Sequence, residues 1–387
     1  MAEQTDTALL NPAGAPVWAL GLMSGTSMDG VDAALLRTDG RTIAEVGPSL
    51  TLEYDRKART RLAAAVKGDA DDRAVAAVER LITDHHARAV GRLLDLWHDT
   101  AGVGSAPAVI GFHGHSLWHR PREHATRQIG DGARLAQMTG LPVINDFRAN
   151  DVATGGNGAP FAPLYHAARL GRADLAYPVC ILNLGGVANV TWIGTPGAGL
   201  DGGGAEILAF DTGPASAFID DWVQAHTGSS YDEGGTLAAA GRVDRALLEG
   251  LLEDPYFDEP PPKSLDRAGF DVSSVDVLDA ADGAATLTAF SAGAVARGLA
   301  YFPRPPGSWF VSGGGRHNGS LMAAIADAVG AEVRPVEDLG WNGDALEAEA
   351  FAFLAVRSAR CLPLSLPQTT GVAEPVTGGR LWRPGDP

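Results

Sequence analysis

Gly21-Leu-Met-Ser-Gly-Thr-Ser-Met-Asp-Gly-Val-Asp32 lies between two apolar runs, Val17–Leu20 and Val31–Leu36. The pattern predicts two strands joined by a turn rich in Gly, Ser, Thr and Asp. Such a turn can aim backbone N–H groups and hydroxyls at one point, as an anionic phosphate requires, and its glycines let the chain approach closely. No Gly-Lys-Ser/Thr follows and no helical pattern begins there, so it is not a Walker A loop. The same residues dominate ordinary hairpin turns, which leaves a plain polar hairpin open at this point.

A second stretch repeats the design. Val179-Cys-Ile-Leu-Asn-Leu-Gly-Gly-Val-Ala-Asn-Val-Thr-Trp-Ile193 again sets two apolar strands around a short turn, here Gly185-Gly186. Paired hairpins near the start and the middle of the chain point to an internal duplication, with two sheets facing a common cleft that would hold a nucleotide. A third turn, Gly313-Gly314-Gly315, follows the short strand at Trp309 and leads into the helical run Ser320–Val329, where it could pack against adenosine or phosphate. Asp211 ends the strand pattern Glu206–Phe210 just before Thr-Gly-Pro. A carboxylate there projects into the crevice of an α/β sheet, and it would equally serve as a helix N-cap.

Length and charge narrow the class. The 387 residues suffice for two domains with sizeable cores, and 45% hydrophobic with 20% charged residues is an ordinary globular composition. A net charge of −17 repels nucleic acid and anionic membranes. Met1–Asp6 has neither the basic start nor the apolar core of a secretion signal, and no apolar run is long enough to span a membrane, so a cytoplasmic protein is expected. Cys180 and Cys361 fit a reducing compartment as free, structural thiols.

Strands and helices alternate along the rest of the chain, as in an α/β protein. Helical spacing over Arg56–Thr100 is broken near Gly68–Asp71; Pro107–Phe112 and Leu141–Asn145 read as strands and Asp131–Thr139 as a helix closed by Gly140. Later helices are expected at Ala215–His226, Val243–Glu253, Ala284–Ala300 and Ala345–Arg360, with a rigid surface loop at Glu259–Ser264, a plain turn at Asp201–Gly204 and an extended C-terminal tail. The division expected is an N-terminal lobe over 15–175 and a C-terminal lobe over 176–387.

The chain resembles the anhydro-N-acetylmuramic acid kinases of bacterial cell-wall recycling from about Ala19 to the Val376-Thr-Gly-Gly379 tail. The resemblance is carried by Gly21–Asp32, Gly111-Phe-His-Gly114, Gln128-Ile-Gly130, Asp146-Phe-Arg148, Asp151–Pro160, Asn183–Asn189, Phe210-Asp-Thr-Gly-Pro214, Pro262-Lys-Ser264, Gly313–Asn318 and Leu346-Glu-Ala348. It implies the duplicated ribonuclease-H-like fold of actin-like and sugar kinases, ATP with Mg²⁺, and a homodimer. Asp211 is then the general base, taking a proton from a water that attacks the anomeric carbon of 1,6-anhydro-N-acetylmuramic acid while the freed O6 attacks the γ-phosphorus. Mg²⁺ would be held chiefly through ATP and water. The resemblance assigns Gly25, Thr26, Ser27, Met28, Asp29, Gly30, Val31 and Asp32 to the ATP phosphates, joined by Gly185, Gly186 and Gly313–Gly315. His115, Ser116, Asn150 and Glu347 would bind the sugar.

Bland roles compete with several of these. Glu347 is a favourable first-turn acid, Asp29 and Asp32 can cap the hairpin turn, and Lys263 reads more readily as a solvated lysine than as an anion ligand. The chain also departs from the family pattern in the expected sugar pocket. It has Gly114-His115-Ser116 where Gly-Gln-Thr is common, Arg148-Ala-Asn150-Asp151 where a further Arg is frequent, Asn157 for Gln, and Ala215-Ser216 for Gly-Asn. Two rival readings follow from the residues: a zinc hydrolase built on His113 and His115, and a kinase-fold sensor without catalysis, or one acting on a related anhydro sugar.

Overall fold

The computed structural model describes residues 14–25, 27–101, 106–120, 123, 125–171, 173–197, 206–265 and 269–386. Thr26, Met1–Asp6 and the Asp201–Gly204 turn lie outside the described residues. The described chain forms two compact units: one holds the residues up to Gly171 together with those from Ala345 onward, the other those lying between.

The first unit contains β1 (Val17–Met23), β2 (Gly30–Thr38), β3 (Ile43–Glu53), β4 (Val109–Phe112), β5 (His115–Arg120), β6 (Ala125–Ile129) and β7 (Val143–Asn145). β1, β2 and β3 form an antiparallel meander, and β4 and β7 continue the sheet in parallel on the other side of β1. β5 and β6 make a separate hairpin. The second unit contains β8 (Val179–Leu184), β9 (Val187–Ile193), β10 (Ile207–Pro214), β11 (Ser308–Ser312) and β12 (Val333–Pro335). Here β8, β9 and β10 are the antiparallel meander, with β11 and β12 parallel beyond β8. The third strand, the second, the first, then the fourth and fifth: both sheets share this ribonuclease-H order, and the duplication read from the paired hairpins is a duplication of topology.

Each sheet has its own core. Leu20, Leu22, Val31, Ile110 and Phe112 pack with Ile82 and Leu93 of helix Asp72–Ala101. Leu182, Val190, Phe210 and Val311 pack with Leu287 and Phe290 of helix Ala280–Arg297. The expected helical break stands between Arg56–Val66 and Asp72–Ala101, where Gly68 takes φ +79°, a conformation that costs glycine little. No helix among the described residues is long and apolar enough to cross a membrane.

The C-terminal stretch departs from the expected division at 176. Helix Leu346–Ala359 packs across β1, β2 and β4 of the first unit, and the tail returns as β13 (Arg380–Trp382), antiparallel to β7 at that sheet's edge. The reason is steric. Gly21 and Gly111 are register partners in β1 and β4, and a Cβ on either would stand 1.8 Å from the Ala348 carbonyl oxygen or 2.0 Å from that of Phe351. The two glycines cut a slot into which this alanine-rich helix fits backbone to backbone.

Candidate active site

In the second unit the C-terminal ends of β8, β10 and β11 lie along one edge of the sheet, because β9 runs against its neighbours and β11 runs with β8. Asp211 stands at that edge. It is a buried strand residue opposite Asn189, and the ladder shifts register between Asp211 and Gly213. The N-cap of the following helix, Ala217–Thr227, is Ser216, so the capping alternative for Asp211 does not hold. A clasp fixes the residue instead. The Asp211 N–H donates to the Lys263 carbonyl (3.0 Å), the Leu265 N–H donates to Asp211 Oδ2 (2.8 Å), and the Tyr256 hydroxyl donates to the Asp211 carbonyl (2.5 Å).

Lys263, expected to be solvated, is buried. Its Nζ donates to the Tyr256 carbonyl at 2.8 Å and lies 4.4 Å from the Tyr256 ring centroid and 5.0 Å from that of Tyr301. Burial pushes its pKa down to about 8, with Glu259 and Asp258 opposing. A carbonyl and two aromatic faces are what make a buried ammonium tolerable.

The glycine turns share the edge with Asp211. The carbonyls of Gly185 and Gly186 accept N–H groups of Ala215, Ser216 and Ala217, which ties the turn to the start of the helix. Gly313 and Gly315 are required by packing, since a Cβ on them would stand 2.5 Å from Asn183 Oδ1 and 2.7 Å from Leu184 Cβ. Arg316, absent from the expected site, anchors this turn by donating to the Gly313 carbonyl (3.0 Å), Glu337 (2.9 Å) and Asp344 (2.8 Å). Gly185 and Gly314 differ: a Cβ would meet nothing closer than 3.6 Å at the former and nothing within 4 Å at the latter. Their missing side chains leave room for a ligand rather than for the protein, and so fit a nucleotide's phosphates.

In the first unit, Ser24, Gly25 and Ser27–Asp29 are the described residues between β1 and β2. The Met28 N–H donates to the Gly25 carbonyl at 3.1 Å, with Met28 at φ +53°, and Ser27 Oγ donates to Asp29 at 2.7 Å. Gly25 is open, its nearest contact for a Cβ being 3.7 Å away. The rest of the expected phosphate segment is committed elsewhere. Gly30 is needed for the approach of Leu52 (2.7 Å), Val31 is a fully buried core residue, and Asp32 accepts from Thr51 at 2.6 Å across the sheet. Once β2 has begun, its side chains belong to the sheet, so the Val31 assignment is corrected.

At the same edge, β4 leads into His113-Gly114-His115. The Tyr54 hydroxyl donates to Ser24 Oγ (3.0 Å), and Ser24 Oγ lies 3.1 Å from His115 Nδ1. Ser24 holds the imidazole from this side, its backbone as well as its hydroxyl bonding the ring. Burial holds His115 neutral, with its pKa down to about 4, and Nε2 is buried without a hydrogen-bond partner among the described residues. A buried ring nitrogen lacking a partner is a strong demand for a polar group of a ligand. Ser116 Oγ accepts from Gln128 (3.3 Å), and Glu347, in the first turn of helix Leu346–Ala359, is reached by solvent while the surrounding chain desolvates its carboxyl and raises its pKa, with Arg148 opposing. The Asn150 amide donates to the Thr377 carbonyl (2.5 Å) and pins the tail.

His113 cannot start a zinc site as it stands. Its Nδ1 bonds the Gly114 carbonyl (3.0 Å) and its Nε2 faces Arg148 (3.2 Å), while burial, reinforced by Arg148, holds it neutral. Among the described residues no cluster of His, Cys, Asp and Glu is placed to hold a metal ion. Cys180 is a buried thiol pushed well above its ordinary pKa by desolvation, as a structural cysteine should be.

Two ribonuclease-H-like sheets in one chain, each with a glycine-bearing turn at the same edge, place the molecule among the actin-like and sugar kinases. The model of the anhydro-N-acetylmuramic acid kinase family matches residues 17–384. The chain is 52% identical over 369 residues to the anhydro-N-acetylmuramic acid kinase of Rhodospirillum rubrum, covering 95% of this chain and 94% of that one. It is 52% identical over 366 residues to that of Paramagnetospirillum magneticum, covering 94% and 98%. Among solved structures, a ROK family glucokinase from Streptomyces griseus in complex with glucose and AMPPNP is similar over 87% of this chain and 99% of that one, at 15% identity and a TM-score of 0.40. The chain belongs to the anhydro-N-acetylmuramic acid kinase family.

Proposed function

We propose that the protein phosphorylates 1,6-anhydro-N-acetylmuramic acid with ATP while opening the anhydro bridge, giving N-acetylmuramic acid 6-phosphate, with Asp211 as the base. The observation that supports Asp211 above other carboxylates is its clasp within β10, inside a Phe-Asp-Thr-Gly-Pro stretch that falls within the family match. A general base must be held in direction as well as in place. Asp211 takes the proton of the water whose oxygen bonds the anomeric carbon. The bond from that carbon to O6 breaks, O6 bonds the γ-phosphorus, and ADP leaves. One carboxylate thereby serves hydrolysis and phosphoryl transfer together.

Gly185, Gly314 and Gly25 are the open glycines at which phosphates can approach the backbone. Mg²⁺ would neutralise charge on the phosphates and is carried chiefly by the nucleotide and water. His115 Nε2 offers a hydrogen-bonding group to the sugar, and the Tyr54–Ser24 pair holds the ring from its other side.

The test is ADP release from ATP and Mg²⁺ with 1,6-anhydro-N-acetylmuramic acid, with the sugar product weighed by mass spectrometry. The native chain should give a phosphorylated, ring-opened sugar, and Asp211→Asn should lower kcat by about 10²–10⁴-fold with ATP still bound. Tight ATP binding without turnover of this sugar would instead favour a related anhydro sugar or the sensor reading.

A further inference from the structure

We infer that Lys263 is a positioning residue for the Asp211 carboxylate, acting through Tyr256 and through the peptide groups on either side of itself; the inference rests on Asp211 being the base. The sheet does not fix Asp211 by its ladder alone, since the register shifts between Asp211 and Gly213. What grips the residue comes from the segment 256–265. On one side the Tyr256 hydroxyl holds the Asp211 carbonyl, and on the other the Lys263 carbonyl and the Leu265 N–H hold the Asp211 N–H and Oδ2. Lys263 joins the two sides. Its Nζ bonds the carbonyl of Tyr256 and seats against that residue's ring, so the phenol and the clasping peptide groups are locked to one another.

A buried ammonium is a costly way to fill space. Methionine would occupy the same volume against Tyr256 and Tyr301 without desolvating a charge. The cation makes a directional bond that an apolar side chain cannot, and it makes it to the residue that holds the base. Tyr301 completes the seat, its hydroxyl tied to the Phe257 carbonyl at 2.7 Å. With the carboxylate direction set in advance, the reorientation otherwise needed in each turnover is avoided.

The experiment measures kcat and the KM values for sugar and ATP in the native protein and in Lys263→Met, Lys263→Arg, Tyr256→Phe and Asp211→Asn, with a thermal melt of each. Lys263→Met is expected to lower kcat about tenfold or more with both KM values within about twofold of native, and Lys263→Arg to recover part of the loss. A Lys263→Met kcat within about twofold of native, or a change confined to KM, overturns the inference. If Lys263→Met does not fold, Tyr256→Phe decides, since it removes one hydroxyl: a kcat about threefold or more below native at unchanged KM supports positioning, and a native kcat overturns it. Asp211→Asn separates the layers. Native turnover in that variant defeats the base assignment itself, whereas its collapse beside a native Lys263→Met defeats positioning alone.

Discussion

Burial keeps His86, His113, His115 and His166 neutral, with His86 and His166 pushed down to about 3 and His115 to about 4. In the unfolded chain each protonates near its ordinary value of about 6.5, so each takes up a proton on unfolding below that pH. The stability they contribute is fully present above about pH 6.5 and is lost as pH falls toward their folded values. One unit below 6.5 the loss is on the order of 1 kcal/mol for each such imidazole. Melts at pH 7.5 and 5.5 should show a large drop in Tm, and an unchanged Tm would mean that these rings are not buried neutral. At this scale the sequence was legible where a residue's partners are its neighbours in the chain. The strand that carries Asp211 could be read from its own stretch of chain, and its assignment as a base came from the family resemblance. Lys263 could not be placed, because its tolerance for burial depends on a carbonyl and two rings from Tyr256 and Tyr301, in segments that sequence does not bring together. The bond from the Asn150 amide to Thr377 was hidden for the same reason, its acceptor lying far along the chain.

Among the elements, both hairpins and the Arg56–Ala101 helix pair were legible from period and turn chemistry, which are local properties. The role of helix Leu346–Ala359 was not. Its apolar, alanine-rich pattern predicts burial without naming the sheet that buries it. Gly21 and Gly111 carry that information, and in sequence they look like ordinary glycines beside functional turns. Gly111→Ala and Gly21→Ala should each destabilise the protein by about 3 kcal/mol or more, since a methyl cannot be accommodated against a helix backbone without moving it. Gly314→Ala should leave Tm within about 1 °C while weakening ATP binding, because nothing in the protein fills that space. Chemical denaturation and nucleotide titration of the three variants check the contrast. A stable Gly111→Ala would show that the slot has slack.

The whole molecule is a sheet built twice, and each copy carries its turns at the corresponding edge. Paired hairpins announced the duplication, but the order in which the chain visits the units is a property of long-range packing. The second unit is inserted into the first, which is finished by the last segment with its helix and with β13. A chain ending at Asp344 should therefore retain the second unit's sheet and lose the first unit's cover, giving exposed apolar surface that binds ANS and drives aggregation. A soluble, cooperatively melting truncation would contradict this. The same slot of Gly21 and Gly111 also sets a schedule for biosynthesis. A ribosome delivers the first sheet early and its covering helix only after the whole of the second unit, so the domain begun first is closed after the one begun second. Until then the nascent chain exposes a groove shaped for a helix not yet made, and a message cut short ahead of that helix yields a protein that cannot hide it.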